Sequence, residues 1–303
     1  MFAGKLLLVA KRKNMINRPF GVYANPRYDV AFKKLFVDKG NENILIDFLN
    51  DVLERKNIIK IESVSIADSN NLPLVLSQKT SIVDVRCFDD KKRNYQIEMQ
   101  LGYQQDYAER CQFYTSYFIT KQLEKGNRYK KLEPIIFISV LNFKLFDHDR
   151  FLSHHLTTDI QDHRQYLNLI EHHFLELPKF EKNENELKDS IDRWAYFFKN
   201  AEKCNQIPST MADDAIMNEA FDVLKRTNWT PADLDKYFTA LDAERSNQSI
   251  LETTLDKGKR EGKIEGRIEE KIEIAKTLLK RHMPLEEIVA ITGLSIEEIK
   301  KLE

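Results

Sequence analysis

The spacing of apolar residues predicts an ordered series of helices and strands in the first half of the chain. Two short helices are predicted between Tyr28 and Leu53, where apolar residues recur at helical spacing. Three alternating segments, one further helical stretch and one continuous apolar run follow. The alternating segments are residues 58–66, 81–88 and 95–101, the helical stretch is 108–125, and the apolar run is 134–143.

This order predicts an α/β fold built on a mixed sheet. The three alternating strands can form an antiparallel meander, and the helix over 108–125 is long enough to cross over to a parallel neighbour. The apolar run 134–143 is typical of a strand buried on both faces. One more strand is predicted near Tyr166 to Phe174, and beyond Glu184 almost all of the pattern is helical.

The chain divides into three predicted segments. Residues 1–24 form a leader that we expect to be poorly ordered. Its apolar run is shorter than a membrane span, and its positive charges follow that run, which disfavours a membrane anchor and a signal peptide. Residues 25–245 form the α/β domain with a helical extension. Residues 246–303 form a densely charged helix and a small helical module, and neither a membrane anchor nor secretion is expected.

Two carboxylates lie on the predicted hairpin of strands 81–88 and 95–101. Symmetric pairing about a turn at Lys91 places Asp84 opposite Glu98. Like charges on a sheet face flanked by apolar residues need a compensating cation, and carboxylate oxygens are ligands that Mg²⁺ prefers. The alternative is a solvent-exposed face, on which Asp and Glu are ordinary polar residues.

Composition narrows the range of functions. The chain has 303 residues, with 47 basic and 48 acidic, so a uniformly basic nucleic-acid coat is excluded and any such binding must use local patches. Cys87, Cys111 and Cys204 are far apart and odd in number, which indicates neither a disulfide framework nor a thiolate zinc site. We therefore expect a reducing, cytoplasmic location. No organic cofactor is expected.

Several short motifs together resemble one protein family. Val83–Arg86 (VDVR) and Ile97–Gln100 (IEMQ), within this order of elements, resemble the core of PD-(D/E)XK nucleases. More narrowly, the chain resembles the Rpn family of recombination-promoting nucleases, often labelled transposases. Further segments that resemble this family are residues 28–36, 109–117, 125–132 and 176–180 and the Gly-spaced C-terminal helix. The resemblance covers nearly everything after Asn25.

The resemblance implies a Mg²⁺-dependent DNA endonuclease. Asp84 and Glu98 would bind Mg²⁺, Asp29 would be a further metal contact, and Gln100 would join Asp84 and Glu98 as a catalytic residue. Gln100 stands where the superfamily usually has Lys, and an amide can orient a water but can carry neither a charge nor a proton. Whether Arg86, another cation or a second metal supplies that charge is open.

Basic residues near the end of helix 108–125 form the best candidate contact for DNA phosphates. The predicted nucleic-acid-binding residues are Lys121, Lys125, Arg128, Lys130 and Lys131, together with Arg110, which resembles a family position. The hairpin tip at residues 91–93 is a second, weaker patch. Six of the seven His residues fall between His148 and His173, but neighbours in a doublet point to opposite faces of a strand, so we expect no zinc site.

The C-terminal region suggests assembly more than DNA recognition. Gly258, Gly262 and Gly266 at four-residue spacing favour close approach of another helix, which predicts self-association, while a solvated helix is the alternative. The last residues form two short helices with a capping box from Ser295 to Glu298, and we interpret them as a packing module. A catalytically inactive nuclease-fold interaction protein is the main alternative function for the whole chain, and DNA strand transfer is another.

Overall fold

A computed structural model describes residues 21–54, 60–67, 84–123 and 128–302. The chain divides into two compact units, residues 1–238 and 239–303. The helices are α1 Asp29–Phe36, α2 Glu42–Val52, α3 Tyr107–Thr120, α4 Ser190–Asn200, α5 Ala215–Leu224, α6 Pro231–Lys280, α7 Leu285–Thr292 and α8 Ile296–Lys300. The strands are β1 Val64–Ile66, β2 Val85–Asp89, β3 Asn94–Gln100, β4 Ile135–Leu141, β5 Leu152–Leu156 and β6 Ile170–Glu176. Short 3₁₀ helices lie at Tyr129–Lys131, Leu177–Lys179, Glu184–Glu186, Ala201–Lys203, Ser209–Met211 and Arg226–Asn228.

The first unit contains a mixed sheet with the strand order β1-β2-β3-β4-β6-β5. Strands β1, β2 and β3 pair antiparallel, and α3 carries the chain to β4, which pairs parallel with β3. Strand β4 also pairs parallel with β6. The predicted α/β fold is therefore confirmed, including the meander and the crossover to a parallel strand.

The central strand β4 is buried along its whole length, as its continuous apolar run predicts. Helix α3 covers one face of the sheet through a stripe at helical spacing. Together with residues of β4, β6 and the loop after β4, this stripe forms a core that consists of Tyr107, Cys111, Tyr114, Phe118, Ile135, Phe137, Leu141, Phe143 and Phe174. Because α3 lies on this face, polar residues that alternate with the core residues of β2 and β3 are shielded from water.

Helices α1, α2 and α4 pack through aromatic side chains. Phe36 stacks on Phe48 with ring centroids 5.2 Å apart, and Trp194 meets Phe48 edge-on at 5.3 Å. The indole Nε1 of Trp194 donates a hydrogen bond to Asp47. Offset and edge-on pairs of this kind add to the free energy gained by burial.

The packed chain begins before residue 25. The Ala24 amide donates to the Leu224 carbonyl, Tyr23 pairs with Lys225, and both Tyr23 and Ala24 are buried. The predicted leader of residues 1–24 therefore includes at least two residues that belong to the domain. Residues 1–20 lie outside the described residues.

The second unit consists of the remainder of α6 with α7 and α8. The core residues Ala275, Ile288, Leu294 and Ile299 form its centre, and the Ser295–Glu298 capping box at the start of α8 is present as predicted. Gly293 ends α7 with a φ of 66°, in the left-handed region that favours glycine. Within the described part of the chain, no helix is both long and apolar enough to cross a membrane.

Candidate functional site

Asp84 lies directly before β2, at the point where the β2–β3 ladder ends. The ladder pairs Val85 with Ile97, so the same register places Asp84 opposite Glu98, as the symmetric hairpin predicts. The Asp84 Oδ2 atom accepts a hydrogen bond of 2.8 Å from the Met99 backbone amide, which points towards β2. The Asp84 side chain thus accepts the hydrogen bond that a backbone carbonyl would accept at the next position of the ladder. This bond holds the Asp84 carboxylate beside Glu98.

Glu98 lies on β3 under helix α3 and is 3% exposed. Its Oε1 atom accepts a 2.7 Å hydrogen bond from Arg110 Nη2. Its Oε2 atom is buried and has no hydrogen-bond partner among the described residues. Burial raises the pKa of Glu98 to about 8, with Asp84 adding to the increase and Arg110 opposing it. A carboxylate in this position lacks part of the solvation that a charged group requires.

Gln100 and Arg110 lie beside Glu98. Arg110 Nη2 also donates to Gln100 Oε1 at 3.2 Å, while its Nη1 donates to Gln104. The Gln100 amide nitrogen donates to the Gly102 carbonyl at 3.1 Å. The structure therefore brings the three predicted catalytic residues, Asp84, Glu98 and Gln100, to one end of the β2–β3 hairpin.

Asp29 does not join this group. It begins α1, its side chain is 55% exposed, and it forms an ion pair of 2.7 Å with Lys33 one turn later. Among the described residues, no three His, Cys, Asp or Glu side chains are placed to hold one metal ion. The structure therefore does not place Asp29 with Asp84 and Glu98 as the predicted third metal contact.

We expect the Asp29→Asn variant to keep its catalytic rate within about threefold of the wild-type protein in a DNA-nicking assay with Mg²⁺. The reason is that an exposed ion pair within one helix contributes little to stability or to a distant site. A loss of more than tenfold would show that Asp29 reaches the metal when substrate is bound.

The predicted phosphate-contacting residues fall into two groups. Lys121, Arg128, Lys130 and Lys131 are exposed at the end of α3 and on the following loop and 3₁₀ helix, whereas Lys125 lies outside the described residues. Arg110 instead turns inward, with its side chain 17% exposed. At the hairpin tip, Arg93 is buried against Asp89, so only Lys91 and Lys92 remain exposed there.

The histidine doublets lie on neighbouring antiparallel strands. His154 pairs with His173 and His155 pairs with His172, so the members of each doublet point to opposite faces, as predicted. The cross-strand pairing was missed: it brings His154 Nδ1 to 2.6 Å from His173 Nδ1. Strand β5, which carries one doublet, was also missed, because its sequence LSHHL shows no apolar alternation.

Glu176 and Lys179 form a buried ion pair of 2.7 Å that the sequence pattern alone does not reveal. Glu176 accepts from the amides of Leu145 and Phe146, and Lys179 donates to the Phe146 carbonyl. Each of the two charged side chains is therefore bonded both to the other and to backbone groups of the loop after β4. Residues 176–180 therefore have a structural role, because this ion pair holds the loop in place.

The donor set fits a divalent metal ion. Two carboxylates at the end of one hairpin supply the hard oxygen ligands that Mg²⁺ takes, and the unpartnered Oε2 atom of Glu98 has one ligand position to offer. Asp84, 6% exposed, lies beside Glu98 with its orientation fixed by the Met99 amide. A cation here would relieve the buried negative charge, and Mg²⁺ usually completes such a site with water.

The mixed sheet and the buried carboxylate pair on its antiparallel hairpin define a PD-(D/E)XK type of nuclease fold. Residues 26–254 match the family model described as "PD-(D/E)XK nuclease family transposase". The chain belongs to this family. Searches of the curated proteins and of the solved structures found no match.

Proposed function

We propose that this protein is a Mg²⁺-dependent DNA endonuclease of the Rpn-like kind. The observation that carries the proposal is the buried Asp84–Glu98 pair, in which Glu98 Oε2 has no partner among the described residues, within a chain of a nuclease family. The proposal includes a cytoplasmic location and a role in DNA recombination, mobile-element movement or defence. The three free cysteines support that location.

Asp84 and Glu98 are the residues that would hold the metal. When bound, Mg²⁺ supplies positive charge at a phosphodiester and makes water a better nucleophile. The Met99 amide keeps Asp84 turned towards Glu98. Gln100 can orient a water through its amide group but cannot take the proton from it. The proton must therefore pass to a group other than Gln100.

Cleavage of supercoiled plasmid tests the proposal directly. The purified protein should convert supercoiled DNA to nicked circles with Mg²⁺, and EDTA should stop the reaction. The Asp84→Asn variant, purified in the same way, controls for a contaminating nuclease. Equal traces of nicking in both proteins would contradict the proposal and would favour an inactive, nuclease-fold interaction protein.

The exposed basic residues after α3 are the proposed DNA contact. We expect replacement of Lys121, Lys130 and Lys131 by Gln to weaken DNA binding at least about tenfold near physiological salt, because each phosphate contact releases counterions. Fluorescence anisotropy with labelled duplex DNA, measured in Ca²⁺ at several KCl concentrations, checks this. The slope of the logarithm of the binding constant against the logarithm of the salt concentration should become shallower by the amount expected for two to three phosphate contacts.

A matched control replaces Lys259, Lys263 and Lys276, three lysines that are exposed on α6, by Gln. This variant should bind DNA like the wild-type protein. Equal weakening in both variants would mean that binding follows overall charge and would remove the proposed contact.

We also propose that α6 mediates self-association. An added Cβ at Gly258, Gly262 or Gly266 meets no atom within 4 Å, and apolar side chains such as Leu255 and Ile264 are exposed beside them. Close helix approach is easiest where side chains are smallest. A monomeric mass of the full chain in solution, measured by light scattering across the working concentration range, would contradict this proposal.

A further inference from the structure

Arg110 is the only residue of α3 that forms an ion pair with the carboxylate pair in the described part of the chain. Its guanidinium lies against the rings of Tyr107 and Tyr114, with ring centroids 4.8 Å and 5.9 Å from Cζ. Both tyrosines are buried in the core under α3. The side chain is therefore held against the sheet instead of reaching into solvent.

Two acidic side chains and one arginine lie together at this end of the hairpin. Asp84 and Glu98 bring two buried carboxylates, while Gln100 is neutral. Arg110 donates from one nitrogen, Nη2, to both Glu98 and Gln100. A guanidinium stays charged under all conditions at which the protein folds, so it is a permanent positive charge at this position.

Arg86 is the other arginine on this sheet face, and its surroundings differ. Its guanidinium carbon lies 5.1 Å from the ring centroids of both Phe88 and Phe118, and its Nε donates to Asn94 at 3.4 Å. Asn94 is at the start of β3, whereas Glu98 and Gln100 are at its end. The Arg86 side chain is therefore directed towards the start of β3 and away from Glu98 and Gln100.

We propose that Arg110 is the positioning cation of the nuclease site and that it acts through Glu98 and Gln100. This inference rests on the proposed function. The shared Nη2 contact holds Gln100 with its carbonyl towards Arg110 and its amide nitrogen towards the Gly102 carbonyl. The same contact engages only Oε1 of Glu98 and leaves Oε2 for the metal.

Three variants of the full chain test this role. Arg110→Gln removes the charge but keeps hydrogen-bond donors, Arg110→Lys keeps the charge, and Arg86→Gln is the matched control on the same sheet face. The readouts are kcat and KM for nicking of plasmid DNA with Mg²⁺, and the affinity for Mg²⁺ alone from calorimetric titration without DNA.

We expect Arg110→Gln to lower kcat at least 100-fold with KM for DNA within threefold, and Arg110→Lys to recover about a tenth of the wild-type kcat. Arg110→Gln should bind Mg²⁺ about three- to tenfold more tightly, because a like charge beside the metal is removed. Arg86→Gln should match the wild-type protein within threefold in both readouts.

Several results would overturn the inference. An unchanged kcat in Arg110→Gln would do so, as would a rise in KM alone, which would make Arg110 a DNA contact. Weaker Mg²⁺ binding in Arg110→Gln together with full loss of kcat in Arg110→Lys would show that it only supports the fold. If the wild-type protein cuts no DNA, the proposed function fails, and the Mg²⁺ titration still decides whether Arg110 lies beside the metal.

Discussion

The Asp84→Asn variant should lose at least about 1,000-fold of the Mg²⁺-dependent nicking rate, and Glu98→Gln should lose as much. Each change removes one of the two carboxylates that would hold the metal. Without the positive charge of the metal at the phosphodiester, the activation barrier should rise by about 4 kcal/mol, which is the free energy that corresponds to this loss of rate. Initial rates of plasmid nicking at saturating Mg²⁺ provide the measurement.

Loss of folding is not the expected cause of this effect. Asn at position 84 keeps an oxygen that can accept the Met99 amide hydrogen bond, so the end of the β2–β3 ladder stays intact. The exposed Asp149→Asn change is a matched control and should leave the rate unchanged. If Asp84→Asn is well folded and nicks DNA within tenfold of the wild-type rate, Asp84 does not hold the metal.

Glu98 should make the metal-free protein less stable as the pH rises. Its pKa is raised by burial to about 8 from an ordinary value of 4.5, so the folded state binds a proton more tightly than the unfolded state. Stabilisation from this group is complete below pH 4.5 and is lost as the pH rises through 8. We expect Glu98→Gln to be more stable than the wild-type protein at pH 8.5, by on the order of 3 kcal/mol, and similar to it at pH 5.

Urea unfolding of both proteins in EDTA at the two pH values measures this difference. Repeating the measurement with Mg²⁺ at pH 8.5 adds a second readout: the metal should stabilise the wild-type protein and have little effect on Glu98→Gln, because ligand binding to the folded state raises its stability. Equal pH dependence in the two proteins would mean that Glu98 ionises normally. A buried carboxylate that lowers the stability of the metal-free protein and serves the activity is common at functional sites.

Much of the fold follows from hydrophobic period alone. The seven residues of β4 are all buried, and a continuous apolar run of this length is typical of a strand that is buried on both faces. The length of helix α3 correctly predicted a parallel neighbour after the crossover. Strand β5 could not be predicted in this way, because Ser153, His154 and His155 give no clear period and pairing with β6 decides the structure.

The register of the hairpin was predictable, but the burial of its polar face was not. A turn centred on Lys91 fixes which residues pair, and the observed pairs have this symmetry. Asp84 and Glu98 look the same in sequence whether their face meets water or a helix. Only the packing of Tyr107, Cys111 and Tyr114 over that face determines their environment.

The sequence carries a signal for the inward position of Arg110. Arg110 is three residues after Tyr107 and four before Tyr114, so it shares their side of α3. Its predicted role as a nucleic-acid contact rests instead on its resemblance to a family position. The position of Asp29 was not predictable from motif resemblance, since its ion pair with Lys33 is a local i,i+4 contact.

A crystal structure of the wild-type protein with Mn²⁺, located by its anomalous scattering, would show whether Asp84 and Glu98 hold the metal. We expect one metal ion within about 2 Å of carboxylate oxygens of both Asp84 and Glu98. An anomalous peak bound by other residues, or no peak at this pair when the metal saturates nicking activity, would contradict the claim that these two carboxylates form the metal site.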